Sequence, residues 1–193
     1  MNTRNRFLDY VSEARSASSS LLTDSFLTNF EKVCDLLAEV IKRGGRIFVA
    51  GNGGSHSDSL HIAGELVNYF TKSHKAWPVM ALGANGSVLT AWANDHNFAD
   101  QFVRELSAFA MKGDVFLGIT TSGKSSNILK CFAFAHQNGI SSICLTGNTF
   151  DKRLLEEVDY VLSIDSSSTP HIQESHIIVY HALCKELEFR LSE

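Results

Sequence analysis

Arg46-Ile47-Phe48-Val49-Ala50-Gly51-Asn52-Gly53-Gly54-Ser55 reads as a short apolar β-type run that opens into a glycine loop and then, from residue 56, into a helical pattern. The alternation recurs downstream. Apolar runs at 46–50, 78–82, 115–120, 142–146 and 160–164 are separated by helical stretches near 56–70, 86–94, 98–110, 125–138 and 151–157, and a last helix is expected over 170–190. Continuous apolar strands alternating with helices predict a parallel sheet covered on both faces. Upstream, Phe26, Phe30, Val33, Leu37, Val40 and Ile41 recur at helical intervals until Gly44-Gly45 stops them, and the cluster Ser16 to Ser20 predicts a break from an earlier helix. The expected fold class is α/β, a five-stranded parallel sheet flanked by helices. Residues 1–193 form one domain with 1–44 as an N-terminal helical extension, and no linker or repeat is evident.

Composition agrees. The chain has 193 residues, 44% of them hydrophobic and 20% charged, with 13 Gly and 2 Pro, which excludes disordered and collagen-like classes. A domain of this size buries roughly 70% of its unfolded surface, so it needs no structural metal, and any metal would be functional. Seventeen basic against 21 acidic residues give a charge of -4, a poor start for binding nucleic acid. No apolar run approaches the roughly 20 residues that span a membrane, and the polar start does not resemble a signal peptide. Cys34, Cys131, Cys144 and Cys184 show no CxxC spacing and sit in apolar segments, as expected of buried, reduced thiols in a cytoplasmic protein.

Open parallel sheets bind ligands at the carboxyl ends of their strands. Two strand-to-helix loops there suit an anion. The first is Gly51-Asn52-Gly53-Gly54-Ser55, where glycines admit a ligand close to the backbone and free helical N–H groups face it; His56 at the third-glycine position rules out a dinucleotide fingerprint. The second, Thr120-Thr121-Ser122-Gly123-Lys124-Ser125-Ser126-Asn127, gathers hydroxyls at a helix start, as a phosphate monoester requires. Gly118 to Ser125 also satisfies G-x-x-x-x-G-K-S, and Asp165 ends an apolar run as a magnesium-binding Asp does, so nucleotide hydrolysis is a competing reading. Against it, Gly118 falls inside an apolar run instead of opening a loop, and the pattern leaves the first glycine loop without a role.

His61 and Glu65 stand four apart on a predicted helix and share a face, a nitrogen and a carboxylate suited to a divalent ion. Spacing alone is equally met by a solvated surface pair. Gln173 and His181 lie eight apart on the last helix, about 12 Å of rise, and His171, His176 and His181 can equally form the polar edge of an amphipathic helix.

The strings Ala50-Gly51-Asn52-Gly53-Gly54-Ser55, His61-Ile62-Ala63-Gly64-Glu65, Ala93-Asn94-Asp95, Thr121-Ser122-Gly123-Lys124-Ser125 and Ile172-Gln173-Glu174-Ser175-His176 with His181, in that order, resemble the sugar isomerase (SIS) domain family, and within it the phosphoheptose isomerases. The likeness extends over nearly the whole chain. It implies a flavodoxin-like three-layer sandwich assembled as a homotetramer with active sites at subunit interfaces. It implies zinc, one per subunit, on His61, Glu65, Gln173 and His181. The phosphate of a sugar-phosphate substrate would lie on Thr120, Thr121, Ser122 and Ser125, and its sugar along Asn52, Gly53, Gly54, Ser55, Asn94, Asp95 and Gln173. Glu65, also in contact with substrate, is then the base and His181 its partner acid in moving a proton through an enediol between a 2-ketose and an aldose. Tyr69 departs from the cationic residue that many relatives carry there, and Pro170-His171 replaces an acidic-basic pair. Some relatives are non-catalytic binding or regulatory proteins, which generally lack the Glu and terminal His; this chain keeps Glu65 and His181.

Overall fold

The computed structural model describes residues 2–150 and 154–191. Five strands, β1 (Ile47–Gly51), β2 (Val79–Ala81), β3 (Val115–Thr120), β4 (Ser141–Gly147) and β5 (Tyr160–Ile164), form one parallel sheet in the order β2-β1-β3-β4-β5. Registers such as Ile47 with Val115 and Leu117 with Ile143 fix the central strands. Side chains alternate by twos. Ile47, Val49, Val115, Leu117, Ile143 and Leu145 enter one core, while Phe48, Ala50, Phe116 and Cys144 enter the other.

The first core is closed by α2 (Asp24–Lys42), α3 (Gly54–Val67) and α8 (Thr169–Leu191), the second by α5 (Gln101–Phe109) and α6 (Ser126–Asn138). α2 starts where Thr23 accepts from the Phe26 N–H and buries Phe26, Val33, Leu37, Val40 and Ile41 of the stripe its sequence spacing predicts, with Cys34 beside them, while Phe30 is half-buried. α1 (Thr3–Ser19) lies on α8 with only Ala17 buried, and α4 (Gly86–Asp95) buries none of its residues. All four cysteines are free and buried. Among the described residues no helix is long and apolar enough to cross a membrane.

Boundaries differ from expectation in three places. The break expected in the serine cluster falls at its far end: the hydroxyls of Ser18, Ser19 and Ser20 fold back onto carbonyls three residues earlier, so α1 runs to Ser19 before it tightens into a 3-10 turn over Ser20–Leu22. The stretch 98–110 divides into a 3-10 turn, Phe98–Asp100, and α5, since Asn97 caps the turn through the Ala99 N–H. α3 ends at Val67, not at 70, for a reason that bears on the site. Of the helix expected over 151–157, α7 (Leu154–Glu157) is seen, and 151–153 lie outside the described residues.

Candidate active site

The order β2-β1-β3-β4-β5 reverses direction between β1 and β3, so the loops after these strands face each other at the carboxyl edge. Side chains tie them. The amides of Asn52 and Asn127 exchange two hydrogen bonds, of 2.9 and 2.8 Å, and Asn127 is buried. On the β1 side the Ser55 and His56 N–H groups close onto Asn52 and Gly53 carbonyls, and Ser55 is buried. Gly54 is bare for a packing reason: a Cβ there would collide with the amide of Gln173. On the β3 side Thr120 Oγ1 and Ser125 Oγ lie 3.1 Å apart, the Lys124 N–H donates to Ser122 Oγ, and the Gly147 N–H donates to the Thr121 carbonyl. Hydroxyls and free amides thus converge on the start of α6.

This geometry overturns the nucleotide-hydrolase reading. Gly118 is a mid-strand residue of β3, paired with Ala50 and Cys144, and a Cβ on it would meet the Phe132 ring at 2.5 Å. Its bareness serves packing of α6 on the sheet, not a phosphate loop.

α3 and α8 run side by side in the same direction. Gln173 meets Gly54, and two turns on, Tyr180 and His181 meet His61. His61 Nε2 lies 3.0 Å from Glu65 Oε1, and its Nδ1 lies 2.9 Å from the hydroxyl of Tyr180. The His181 ring stands edge-on to His61 with centroids 5.1 Å apart, and its Nε2 is buried without a hydrogen-bond partner among the described residues. The sequence-predicted trio of His61, Glu65 and His181 is therefore assembled, from helices more than 100 residues apart. Gln173 is not joined to it: among the described residues no hydrogen bond links its amide to the trio. Asn94 and Asp95 are exposed at the end of α4, bonded to each other at 2.8 Å and, among the described residues, to none of the other candidates.

Two residues missed from sequence complete the trio's surroundings. Tyr180 donates to Asp58 Oδ1 at 3.4 Å, so its oxygen accepts from Nδ1 of His61. That tautomer turns the Nε2 lone pair toward the Glu65 carboxylate, acceptor against acceptor, and a proton or a cation between them resolves the conflict. Burial raises the Asp58 pKa against the opposing hydrogen bond from Tyr180, and burial, then Asp58, raises that of Tyr180. Imidazole nitrogens with a carboxylate oxygen are zinc-type donors, and an imidazole held through its second nitrogen is the usual outer support. The orphaned His181 Nε2 fits this donor set. As placed, however, no group of three or more His, Cys, Asp or Glu side chains among the described residues stands close enough to hold a metal ion.

Comparison with known proteins agrees with these features. A profile of the SIS domain matches residues 9–147. A phosphoheptose isomerase of Crocosphaera subtropica is 40% identical over 83% of this chain and 82% of its own length, and one of Aneurinibacillus thermoaerophilus is 39% identical over 93% and 90%. The solved phosphoheptose isomerase of Francisella tularensis superposes with a TM-score of 0.91 at 26% identity, covering 98% of this chain and all of that one. The chain belongs to the SIS domain family, within its phosphoheptose isomerases.

Proposed function

We propose that this protein interconverts sedoheptulose 7-phosphate and D-glycero-D-manno-heptose 7-phosphate, the first step toward the heptoses of bacterial lipopolysaccharide or capsule. The observation that carries it is the gathering of His61, Glu65 and His181 in a chain that also carries a hydroxyl-lined loop suited to phosphate and is about 40% identical to phosphoheptose isomerases.

The phosphate docks on Thr120, Thr121, Ser122, Ser125 and the α6 amides, and the sugar extends past Asn52 and the glycines toward α3. Glu65 takes a proton from C1 of the ketose while His181 gives one to the carbonyl oxygen on C2, leaving the enediol; Glu65 then returns its proton to C2 and His181 takes the proton from the O1 hydroxyl, giving the aldehyde and restoring both groups. Among the described residues His181 Nε2 has no partner, which leaves it open to that proton or, in its place, to a metal. His61, Glu65 and His181, with Gln173 as fourth donor, would hold zinc, which would supply Lewis acidity to the reaction. Residues 1–193 act as one cytoplasmic SIS domain. Exposed apolar side chains on α1 and α8, Phe7, Leu8 and Ile178 each more than half exposed, support a homotetramer that buries them and places sites at interfaces.

The test is carbon-13 NMR of the purified protein with sedoheptulose 7-phosphate, with and without zinc, alongside fructose 6-phosphate. A new aldose anomeric signal from the heptulose alone is expected. Equal turnover of both sugars would sink the heptose assignment. A raised melting temperature with no aldose would make the protein a sugar-phosphate sensor instead.

A further inference from the structure

Glu188, on the last turn of α8, is 1% exposed. Among the described residues its only ion-pair neighbour is His74, with Nε2 3.7 Å away. A buried carboxylate so weakly matched by cations must be satisfied by hydrogen bonds. They come from one segment: Oε1 accepts from the N–H of Phe70 at 2.6 Å and of Thr71 at 2.9 Å, while Oε2 accepts from the Thr71 N–H at 2.9 Å, the Thr71 hydroxyl at 2.6 Å and the Lys72 N–H at 3.1 Å. Burial pushes the Glu188 pKa up, and these bonds, from Thr71 first, outweigh it and leave the pKa below its ordinary value. The carboxylate acts as an internal anion in a nest of amides.

The capture explains why α3 stops at Val67. The chain turns at Asn68 and folds onto α8, which brings the Phe70 ring against the face of His181, centroids 5.1 Å apart and planes 28° apart. His61 and Tyr180 meet the same imidazole through T-shaped contacts at 5.1 and 4.8 Å. These two stand on regular helices. Phe70 alone among the three stands on an irregular segment; its ring packs on the first core, and Glu188 holds the backbone that carries it.

We propose that Glu188 is a positioning residue for the reaction: by gathering the 70–72 backbone it clamps Phe70 onto His181 and so sets where the His181 ring nitrogen points. The proposal rests on the isomerase reading, in which His181 moves the oxygen-bound protons. A ring displaced even slightly loses rate without losing the substrate, whose phosphate is held elsewhere.

The experiment compares Glu188→Gln, Phe70→Leu and the double variant in the full-length protein, by isomerase kinetics and by the long-range nitrogen–proton NMR signals of the His181 ring. Glu188→Gln keeps the shape but offers one acceptor oxygen in place of two, and is expected to lower kcat on the order of tenfold to a hundredfold with KM nearly unchanged. Phe70→Leu leaves the capture intact and should show a similar kcat loss and move the same His181 signals. The double variant should be no worse than the poorer single one, because both act through one contact. Losses that multiply, or a Glu188→Gln enzyme with unmoved His181 signals, overturn the proposal. Should Glu188→Gln fail to fold, Phe70→Leu decides: unchanged kcat and unmoved signals reject it. Should the wild type isomerise no sugar phosphate, the isomerase reading fails on its own, and the His181 signals still report whether Glu188 holds the ring.

Discussion

The two ends of the candidate site are built in opposite ways. The 120–125 loop is local: consecutive residues of one strand-to-helix connection, fixed by the register of β3 with β4, with hydroxyls already bonded to one another. The His61–Glu65–His181 end is assembled across the chain, from α3 and α8, and is left incomplete. Its His61 and Glu65 oppose acceptor to acceptor, and among the described residues His181 Nε2 has no partner. Nearly every buried polar group in a folded protein is satisfied, so the unpartnered His181 Nε2, beside a His61–Glu65 pair that opposes acceptor to acceptor, leaves room for an added proton or cation at this end. In the isomerase reading proposed above, the loop end holds the phosphate and the helical end reacts.

The largest effect that can break this contrast comes from Glu65→Gln. With its base removed, turnover should fall by about 10³-fold or more while inorganic phosphate and the sugar phosphate still raise the melting temperature as in the wild type. An active Gln variant would put the proton transfer elsewhere. Tyr180→Phe is the next test. It deletes the hydroxyl that sets the His61 tautomer and should weaken zinc binding, read by chelator competition, about 10- to 100-fold, leaving phosphate binding alone. Unchanged zinc affinity would mean that His61 needs no such support.

How legible each end was follows from the same contrast. The strands could be read because every one of β1 and β3 is buried on both faces and so is apolar throughout. The phosphate end could be read because its hydroxyls are contiguous in sequence. His61 and Glu65 declared themselves only by spacing, which a solvated pair meets equally, and the family resemblance tied them to His181. Asp58 carried a signal that went unused, since it lies three before His61 on the same helical face. Tyr180, Asn127 and Glu188 carried none: each acts through a contact 75 to 122 residues away, set by how α8 and α6 pack. The serine run marked the end of α1 but not its exact residue, because hydroxyls that favour helix ends also bond back inside the last turn.

A smaller effect sharpens the phosphate end. Ser125→Ala removes the hydroxyl paired with Thr120, and the loss of one hydrogen bond of about 1 kcal/mol should raise KM roughly fivefold while kcat changes little. A comparable fall in kcat would show that the two ends are coupled more tightly than their construction suggests.

The smallest effect separates the ends by pH. His171, two residues before Gln173, is bonded through Nδ1 to Glu174 at 2.9 Å and through Nε2 to Glu13 of α1 at 3.3 Å, while Tyr10 of α1 donates to the other oxygen of Glu174. The bond to Glu174, opposed by burial and aided by Glu13, raises the His171 pKa, and bonds from Tyr10 and then His171 lower that of Glu174. A raised histidine pKa gives stabilisation that is complete below the unfolded value of about 6.5 and is lost as pH climbs through the folded one. The depressed Glu174 titrates in the opposite sense and far lower, in the acid range, so near neutrality His171 alone governs the contact. Amide exchange over α1 should therefore quicken, beyond the intrinsic base-catalysed rate, as the pH rises above the unfolded histidine value of about 6.5. His171→Asn should abolish that excess. No ionisable side chain takes part in the internal bonds of the 120–125 loop, so exchange at the start of α6 should follow the intrinsic rate over the same rise in pH. If both segments accelerate together, the opening is global, and α1 is not held to the reacting end by this histidine.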